Sequence, residues 1–339
     1  MESIIFSLDG RDELLKNVIQ EFYNVSRSNH LKGLLESGKV NVQTFSDGEV
    51  CANYEDSVRG KRVYVISSPT TSDKIMQLMM ALDSAKRAGA KEIIPIIPYM
   101  PYSRSDKRDY TRGPIGAKVM AEMIENRGAT SLITFDLHAD QIQGFFNIPV
   151  THMEGQFMFD KYIKSVCDSV DGNVVLASPD AGGSKRVQRF KKRILSRYDI
   201  NLPYVIIEKT RSKANEVDAM VLIGDVTDMH VIILDDMCDT GGTLCKAVEH
   251  LLSVGAKSVR AIVTHGVLSG PALNRIRESP MESFCCSDTI EIPKIFGDGN
   301  FGVYDTNEVV MVVSSARQIA TAIVATDNDL SVEMLKNNN

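Results

Sequence analysis

The sequence predicts an α/β fold in which two similar domains follow one another, each built on a mostly parallel sheet flanked by helices. Three observations carry this reading. Short, almost wholly apolar runs such as Val63-Tyr64-Val65-Ile66 and Val174-Val175-Leu176-Ala177 alternate with amphipathic helical stretches. Strands apolar on both faces belong to parallel sheets covered by helices. One supersecondary unit also occurs twice: a strand, a polar loop, a helix closed by Gly-Ala-Lys and a second strand. Its Gly89-Ala90-Lys91 and Gly255-Ala256-Lys257 lie 255 − 89 = 166 residues apart. Finally, 339 residues is the length of about two domains. The boundary is placed near residue 150, giving domains 1–150 and 151–339.

In chain order, Arg62-Val63-Tyr64-Val65-Ile66 reads as a strand. Lys74–Ala88 reads as a helix with Ile75, Leu78, Met79 and Leu82 on one stripe, stopped by Gly89. Met76, Met79 and Met80 in this helix are expected to be core rather than a binding surface. Ile93–Ile97 follows as a strand, then Leu132–Phe135, which ends in Asp136-Leu137-His138. Val174–Ala177 ends in Ser178-Pro179-Asp180. In the second copy of the repeat, His230–Leu234 and Val259–Val263 are the strands.

Composition narrows the function classes. Lys+Arg minus Asp+Glu is 38 − 44 = −6, so the chain has no general attraction to nucleic acid or anionic membranes. An apolar fraction of 43% and a charged fraction of 24% are those of an ordinary globular chain. The apolar run near Ile93–Ser103 is too short for a membrane span and holds Pro95, Pro98 and Pro101. The N-terminus has no basic segment followed by an apolar one, so no secretory signal is expected. Cys51, Cys167, Cys238, Cys245, Cys285 and Cys286 show no CxxC or zinc spacing. Reduced thiols and a cytoplasmic location are the expectation.

The loops of the two repeat copies differ. The first reads Ser67-Ser68-Pro69-Thr70-Thr71-Ser72-Asp73. The second reads Asp235-Asp236-Met237-Cys238-Asp239-Thr240-Gly241-Gly242-Thr243, and only it has the chemistry of a phosphate site. Asp235 and Asp236 are expected at the C-terminal end of the Val231–Leu234 strand, where open α/β sheets bind ligands. Thr240–Thr243 opens a helix whose apolar stripe is Leu244, Ala247, Val248, Leu251 and Leu252. Its glycines let backbone amides approach an anion at the positive end of the helix. The paired carboxylates suit sugar hydroxyls, or magnesium through water. Phosphate donors beside hydroxyl acceptors describe a sugar-phosphate site. A capped helix with a solvated acidic turn is the plainer alternative, but three acids and two glycines exceed what a cap needs. Cys238, inside this loop, is expected to be an inert packed thiol.

Val231–Thr243 (VIILDDMCDTGGT) closely resembles the phosphoribosyl-diphosphate signature of type I phosphoribosyltransferase folds. The remaining motifs are FSDGE (45–49), SVRG (57–60), DLHADQIQGFFNIPV (136–150), SPDAGG (178–183) and EKTRSKAN (208–215). Together they resemble the ribose-phosphate pyrophosphokinase family, from about residue 40 to the SVEML near Met334. The resemblance implies two tandem type I phosphoribosyltransferase-like domains, the first on the nucleotide side and the second holding ribose 5-phosphate. It implies transfer of the diphosphoryl group of ATP to the 1-hydroxyl of ribose 5-phosphate, with magnesium, giving phosphoribosyl diphosphate and AMP.

Residue by residue, the resemblance assigns ribose 5-phosphate to Asp235, Asp236, Asp239, Thr240, Gly241, Gly242 and Thr243. The transferred diphosphate goes to the loop of Asp180, Ala181, Gly182 and Gly183. His138 and Asp180 fall on magnesium positions. Because magnesium prefers oxygen to imidazole, ATP phosphates would have to supply much of its coordination. Phe45, Asp47 and Glu49 match a loop that contacts the adenine of a neighbouring subunit, and Arg104 and Asp109 match ATP-binding positions. Lys209 and Arg211 match the catalytic cations of a mobile loop, where charge accumulates in phosphoryl transfer. The family implies a homohexamer built from dimers, with neither nucleic acid nor membrane as partner.

Departures from the family pattern are Ser105 for a glutamine, Thr210 for a cation, Asn147 and Thr151 for acids, and the Ser67–Asp73 loop. None removes a residue of the minimal catalytic set. The alternative is a catalytically silent regulatory subunit of the same family. Such subunits carry insertions or lose these residues, whereas Lys209, Arg211, His138 and Asp180 are all present. Ser57-Val58-Arg59 and Ser314-Ser315 fall near the regulatory region of one class. Gly297–Gly302 fits GxGxxG formally but lacks a following helix, and Gly33…Gly38-Lys39-Val40 lacks the hydroxyl of a phosphate-binding loop; neither is read as a nucleotide site.

Overall fold

The computed structural model describes residues 1–210, 219–292 and 309–336, and the chain groups into two compact units. The first holds Met1–Glu154, Thr289–Glu291 and the chain from Ser314 onward. The second holds Gly155–Asp288 and Ile292–Val313. Arg211, the Gly297–Gly302 segment and Asn337–Asn339 lie outside the described residues, as does the side chain of Lys209.

In the first unit the strands are β1 (Ser3–Ser7), β2 (Leu35–Ser37), β3 (Val40–Thr44), β4 (Val50–Tyr54), β5 (Arg62–Ile66), β6 (Glu92–Ile97), β7 (Leu132–Phe135) and β8 (Val150–Met153). Six of them form a parallel sheet in the order β2-β1-β5-β6-β7-β8, and β3 and β4 form a separate antiparallel hairpin. Its helices are α1 (Asp12–Ser28), α2 (Ser72–Arg87) and α3 (Gly116–Asn126). Val63, Val65, Ile93 and Ile97 of the sheet pack on Leu78, Leu82 and Ile124 of α2 and α3. The α2 helix begins at Ser72 rather than Lys74 because the Thr71 hydroxyl accepts the Lys74 amide at 3.3 Å and caps it. Its buried stripe is Ile75, Leu78, Met79 and Leu82. Met76 and Met80 lie one position off that stripe and are exposed, so of the three methionines expected in the core only Met79 is buried.

The second unit runs α4 (Gln156–Ser169), β9 (Val174–Ser178), α5 (Ser184–Tyr198), β10 (Tyr204–Thr210), β11 (Ala219–Ile223), β12 (His230–Cys238), α6 (Gly242–Ser253), β13 (Ser258–Gly266), α7 (Ala272–Glu278), β14 (Ser283–Ser287) and β15 (Val310–Val313). The sheet order is β11-β10-β9-β12-β13-β14-β15, parallel except for β11. Strand order reverses between β9 and β12 here, and between β1 and β5 in the first unit. These are the switch points at which α/β sheets open a crevice beyond the strand ends.

The C-terminal helices α8 (Ala316–Asp327) and α9 (Val332–Lys336) group with the first unit, whereas the sequence reading placed everything after residue 150 in the second domain. Buried apolar residues of α8 such as Ile319 and Ile323 account for part of this, since α8 packs along α1. Polar contacts fix the arrangement. Asp327 accepts from Ser3 at 2.9 Å, Tyr64 at 2.8 Å and Arg62 at 2.9 Å, and Arg317 pairs with Glu21 at 2.8 Å.

Candidate active site

The second switch point gathers most of the predicted phosphate-site residues. From Val231 to Ile233, β12 is paired on both sides, by β9 and by β13. Beyond Ile233 only β13 continues alongside it, with Asp235 opposite Val263 and Cys238 opposite Gly266. Asp235 and Asp236 were expected just past the strand end. They lie within it, because β13 holds the ladder four residues further than the apolar run indicates. One edge of β12 is thus open where its two carboxylates stand, and the loop leaving β9 begins on that side.

That loop is Ser178–Gly183, and it is braced from within. The Ser178 hydroxyl donates to the Asp180 carbonyl at 2.7 Å, and the Gly183 amide donates to the Asp180 carboxylate at 2.7 Å. The Ser184 hydroxyl donates to the Ala181 carbonyl at 2.8 Å. A Cβ on Gly183 would stand 2.8 Å from the Ser178 hydroxyl oxygen, so any side chain there would force this close turn to shift. Asp180, Ala181 and Gly182 are exposed around it.

The acidic strand end runs into α6 through Asp239, Thr240 and Gly241. Gly241 takes φ +73°, a left-handed conformation, and the helix starts at Gly242 without a capping side chain. The first-turn amides of Gly242, Thr243 and Leu244 have no intrahelical acceptor and point along the positive helix end. The outer side of this turn is anchored: the Arg275 guanidinium donates to the Thr240 carbonyl at 3.0 Å, and the Ser269 amide to the Asp239 carbonyl at 3.0 Å. Cys238 is buried, and burial pushes its thiol up to about 12, as an inert packed residue requires.

The sequence reading missed Arg186. It stands in the first turn of α5, 3.5 Å from the Asp235 carboxylate and 3.8 Å from that of Asp236. Burial and the neighbouring Asp236 charge push the Asp235 carboxyl well above the usual range, and Arg186 opposes that rise. The available signal was the composition of α5, SKRVQRFKKRILSRY, with seven cations and no acid directly after the glycine loop.

Of the other predicted residues, Phe45, Asp47, Glu49, Arg104, Asp109 and His138 lie on the first unit and Lys209 on the second. Phe45 is at the tip of the β3–β4 hairpin, 51% exposed. The turn is closed by the Glu49 carbonyl accepting the Phe45 amide at 2.8 Å and by Asp47 accepting the Glu49 amide at 3.0 Å. Arg104 and Asp109 are exposed in the loop between β6 and α3. Ser105, one of the departures noted above, ties that loop to α3 by accepting the Gly116 amide on its hydroxyl at 3.0 Å. His138 is exposed just beyond β7. The preceding Leu137 amide donates to His152 Nε2 at 3.0 Å, and Asp136 holds a positive φ of 28°. Lys209 is in β10 with its backbone opposite Met220 of β11, and Arg211 lies outside the described residues.

Among the described residues no group of three or more His, Cys, Asp or Glu side chains is arranged to hold a metal. The predicted magnesium positions are one imidazole and one carboxylate, and Asp180 already accepts a backbone amide on one oxygen. Either position alone would suit only an ion that brings most of its oxygen ligands with it.

Comparison with known proteins shows the family. Residues 3–128 match the family model described as the N-terminal domain of ribose phosphate pyrophosphokinase, and residues 152–298 match that of the phosphoribosyl transferase domain. A ribose-phosphate pyrophosphokinase of Porphyromonas gingivalis is 42% identical over 257 residues, spanning 76% of this chain and 80% of the relative. The crystal structure of phosphoribosylpyrophosphate synthetase from Mycobacterium smegmatis superposes with a TM-score of 0.81 at 31% identity, over 97% of this chain and 100% of that one. With both halves of the chain matched and the fold shared from end to end, the protein belongs to the ribose-phosphate pyrophosphokinase family.

Proposed function

We propose how this chain divides the work of its family's reaction, in which the diphosphoryl group of ATP passes to the 1-hydroxyl of ribose 5-phosphate. The observation that carries the reading is the second switch point. There the Asp235–Asp236 pair, the glycine-opened start of α6 and the Ser178–Gly183 loop all stand at the C-terminal ends of the neighbouring strands β9 and β12, where such sheets bind ligands. Asp235 and Asp236 accept hydrogen bonds from ribose hydroxyls, and charge-assisted bonds of this kind are the strong ones. The amides at the start of α6, with Thr240 and Thr243, hold the 5-phosphate. The Asp180–Gly183 loop receives the diphosphate. The 1-hydroxyl oxygen attacks the β-phosphorus and gives up its proton to solvent, the bond from that phosphorus to the α,β-bridging oxygen breaks, and AMP leaves. Lys209 and Arg211 stabilise the negative charge that gathers on the transferring and leaving groups, an effect typically worth about 3–4 kcal/mol per preorganised donor.

On the first unit, Phe45, Asp47 and Glu49 contact adenine, and Arg104 and Asp109 contact the rest of the nucleotide. The exposed ring of Phe45 suits presentation to a neighbouring subunit, in a homohexamer built from dimers. His138 on the first unit and Asp180 on the second would each offer a donor to magnesium, which would neutralise phosphate charge. No described helix is long and apolar enough to cross a membrane, and the six cysteines, all described, are unbridged. We place the enzyme in the cytoplasm, with neither nucleic acid nor membrane as partner.

The test is AMP formation by the purified chain with magnesium, ATP and ribose 5-phosphate, beside a Lys209→Ala variant. Strict dependence on ribose 5-phosphate, lost in the variant, is expected. A chain that binds ribose 5-phosphate but forms no AMP would be a silent subunit, and the reading would fail.

A further inference from the structure

Asp235 and Asp236 are consecutive residues of a strand, and side chains of consecutive strand residues ordinarily leave on opposite faces. Both carboxylates nonetheless converge on one guanidinium, that of Arg186, at 3.5 and 3.8 Å. The Asp235 side chain also turns toward the next peptide, accepting the Asp236 amide at 2.9 Å. Asp236 is 4% exposed and the Asp235 side chain 30%, and two adjacent anions with this limited access to solvent repel each other. A nearby cation is the ordinary remedy.

Arg186 is well placed to provide it. Its side chain is largely buried, and it is carried by a helix anchored in the core through Val187, Phe190 and Ile194. The α5 helix also starts directly after the braced Ser178–Gly183 loop, so the guanidinium has a fixed origin on the sheet. The remaining six cations of α5, with no acid among them, add to the positive potential of the helix.

We propose that Arg186 is a positioning residue of the ribose 5-phosphate site, holding the Asp235 and Asp236 carboxylates together as two anions on the same side of β12 so that both accept from sugar hydroxyls. The inference rests on the reading of this crevice as the ribose 5-phosphate site. Arg186 acts through the carboxylates and takes no part in the chemical step. Charge at this point matters more than shape, so lysine substitutes in part and an uncharged side chain of similar length does not.

Titration calorimetry of the full chain with ribose 5-phosphate alone tests this. Arg186→Gln is expected to weaken binding by about tenfold or more, the scale on which supporting residues around a charged site act. Arg186→Lys is expected to recover part of the loss, and the KM for ATP is expected to stay unchanged in both variants. A merely structural role would lower the melting temperature but leave the affinity of the folded protein intact. In an Asp235→Asn background, where one anion is gone, Arg186→Gln is expected to cost less than in the parent. That background keeps the test open if Arg186→Gln alone does not fold. Parental affinity in a folded Arg186→Gln variant, or an equal loss with and without Asp235, overturns the inference. A parent chain that does not bind ribose 5-phosphate overturns the site assignment itself, a separate failure.

Discussion

Gly183 closes the Ser178–Gly183 loop, to which we assign the diphosphate, and adding one methyl group there has a calculable consequence. Its φ of −73° is accessible to any residue, so Gly183→Ala carries no backbone strain and acts through contact alone. The new Cβ would stand 2.8 Å from the Ser178 hydroxyl oxygen and 3.6 Å from the Asp180 carboxylate. Relief to the 3.4 Å of an ordinary contact needs a shift of 3.4 − 2.8 = 0.6 Å. Ser178 is fully buried, and its hydroxyl is committed to the Asp180 carbonyl at 2.7 Å, so it yields poorly. Overpacking of this kind costs about 1–3 kcal/mol. For a unit of this size that corresponds to a melting temperature lowered by roughly 2–12 °C. Ser178→Ala by itself loses one hydrogen bond, about 0.5–1.5 kcal/mol. Because it also removes the oxygen that the methyl strikes, the double variant should be no less stable than Ser178→Ala. Calorimetric melts of the four proteins give the coupling directly, and AMP formation reports whether the loop still accepts the diphosphate. Additive losses, or a Gly183→Ala variant with parental melting and parental activity, would refute the steric argument.

Three further outcomes follow from the same structure. Asp9 is pushed above the usual carboxylate range chiefly by burial, against opposing hydrogen bonds from Ser67 at 2.6 Å and the Ser68 amide at 3.1 Å. A raised folded value favours the native state below the unfolded value of 3.8, and the advantage is lost as pH rises through the folded value. Asp9→Asn should therefore gain stability relative to the parent between pH 4 and pH 7, and a difference that does not change with pH in denaturant melts would contradict this. Asp327 is 10% exposed and joins Arg62, Tyr64 and Ser3, so Asp327→Ala should destabilise the first unit by about 3 kcal/mol, the low end for breaking a buried pair, because Arg62 keeps Glu92; an unchanged melt would show the network to be idle. Cys238, with its thiol pushed up to about 12, should resist iodoacetamide at pH 7.5 while half-buried Cys51 reacts, and peptide mapping that finds equal modification would place Cys238 outside the packed interior.

What the sequence determined by itself was local. Val174–Ala177 and His230–Leu234 read as strands from short β-branched apolar runs bounded by turn residues, and Gly241 marks the helix start because few other residues reach φ +73°. The repeated Gly-Ala-Lys stops gave the order of elements, and the signature motifs gave the family. Contacts made by distant residues were decided only by the tertiary structure. Asp235 and Asp236 fall inside β12 because β13 runs alongside for its full length, and a strand's end depends on its partner as much as on its own residues. The C-terminal helix α8 belongs to the first unit because its apolar face fits α1 and Asp327 meets Arg62, 265 positions away.

Arg186 was invisible for the same reason, since its meaning depends on two carboxylates 49 and 50 residues further along. The two switch points make the contrast plain. Ser7-Leu8-Asp9-Gly10 follows β1 as Ser178-Pro179-Asp180-Ala181 follows β9, and the two runs look alike. In the folded chain Asp9 reaches across to Ser67 and Ser68 after β5, whereas Asp180 turns back onto the Gly183 amide of its own loop. A carboxylate has the same chemistry in both places. Which hydrogen-bond donors surround it is a property of packing, and packing joins residues that the linear sequence keeps apart.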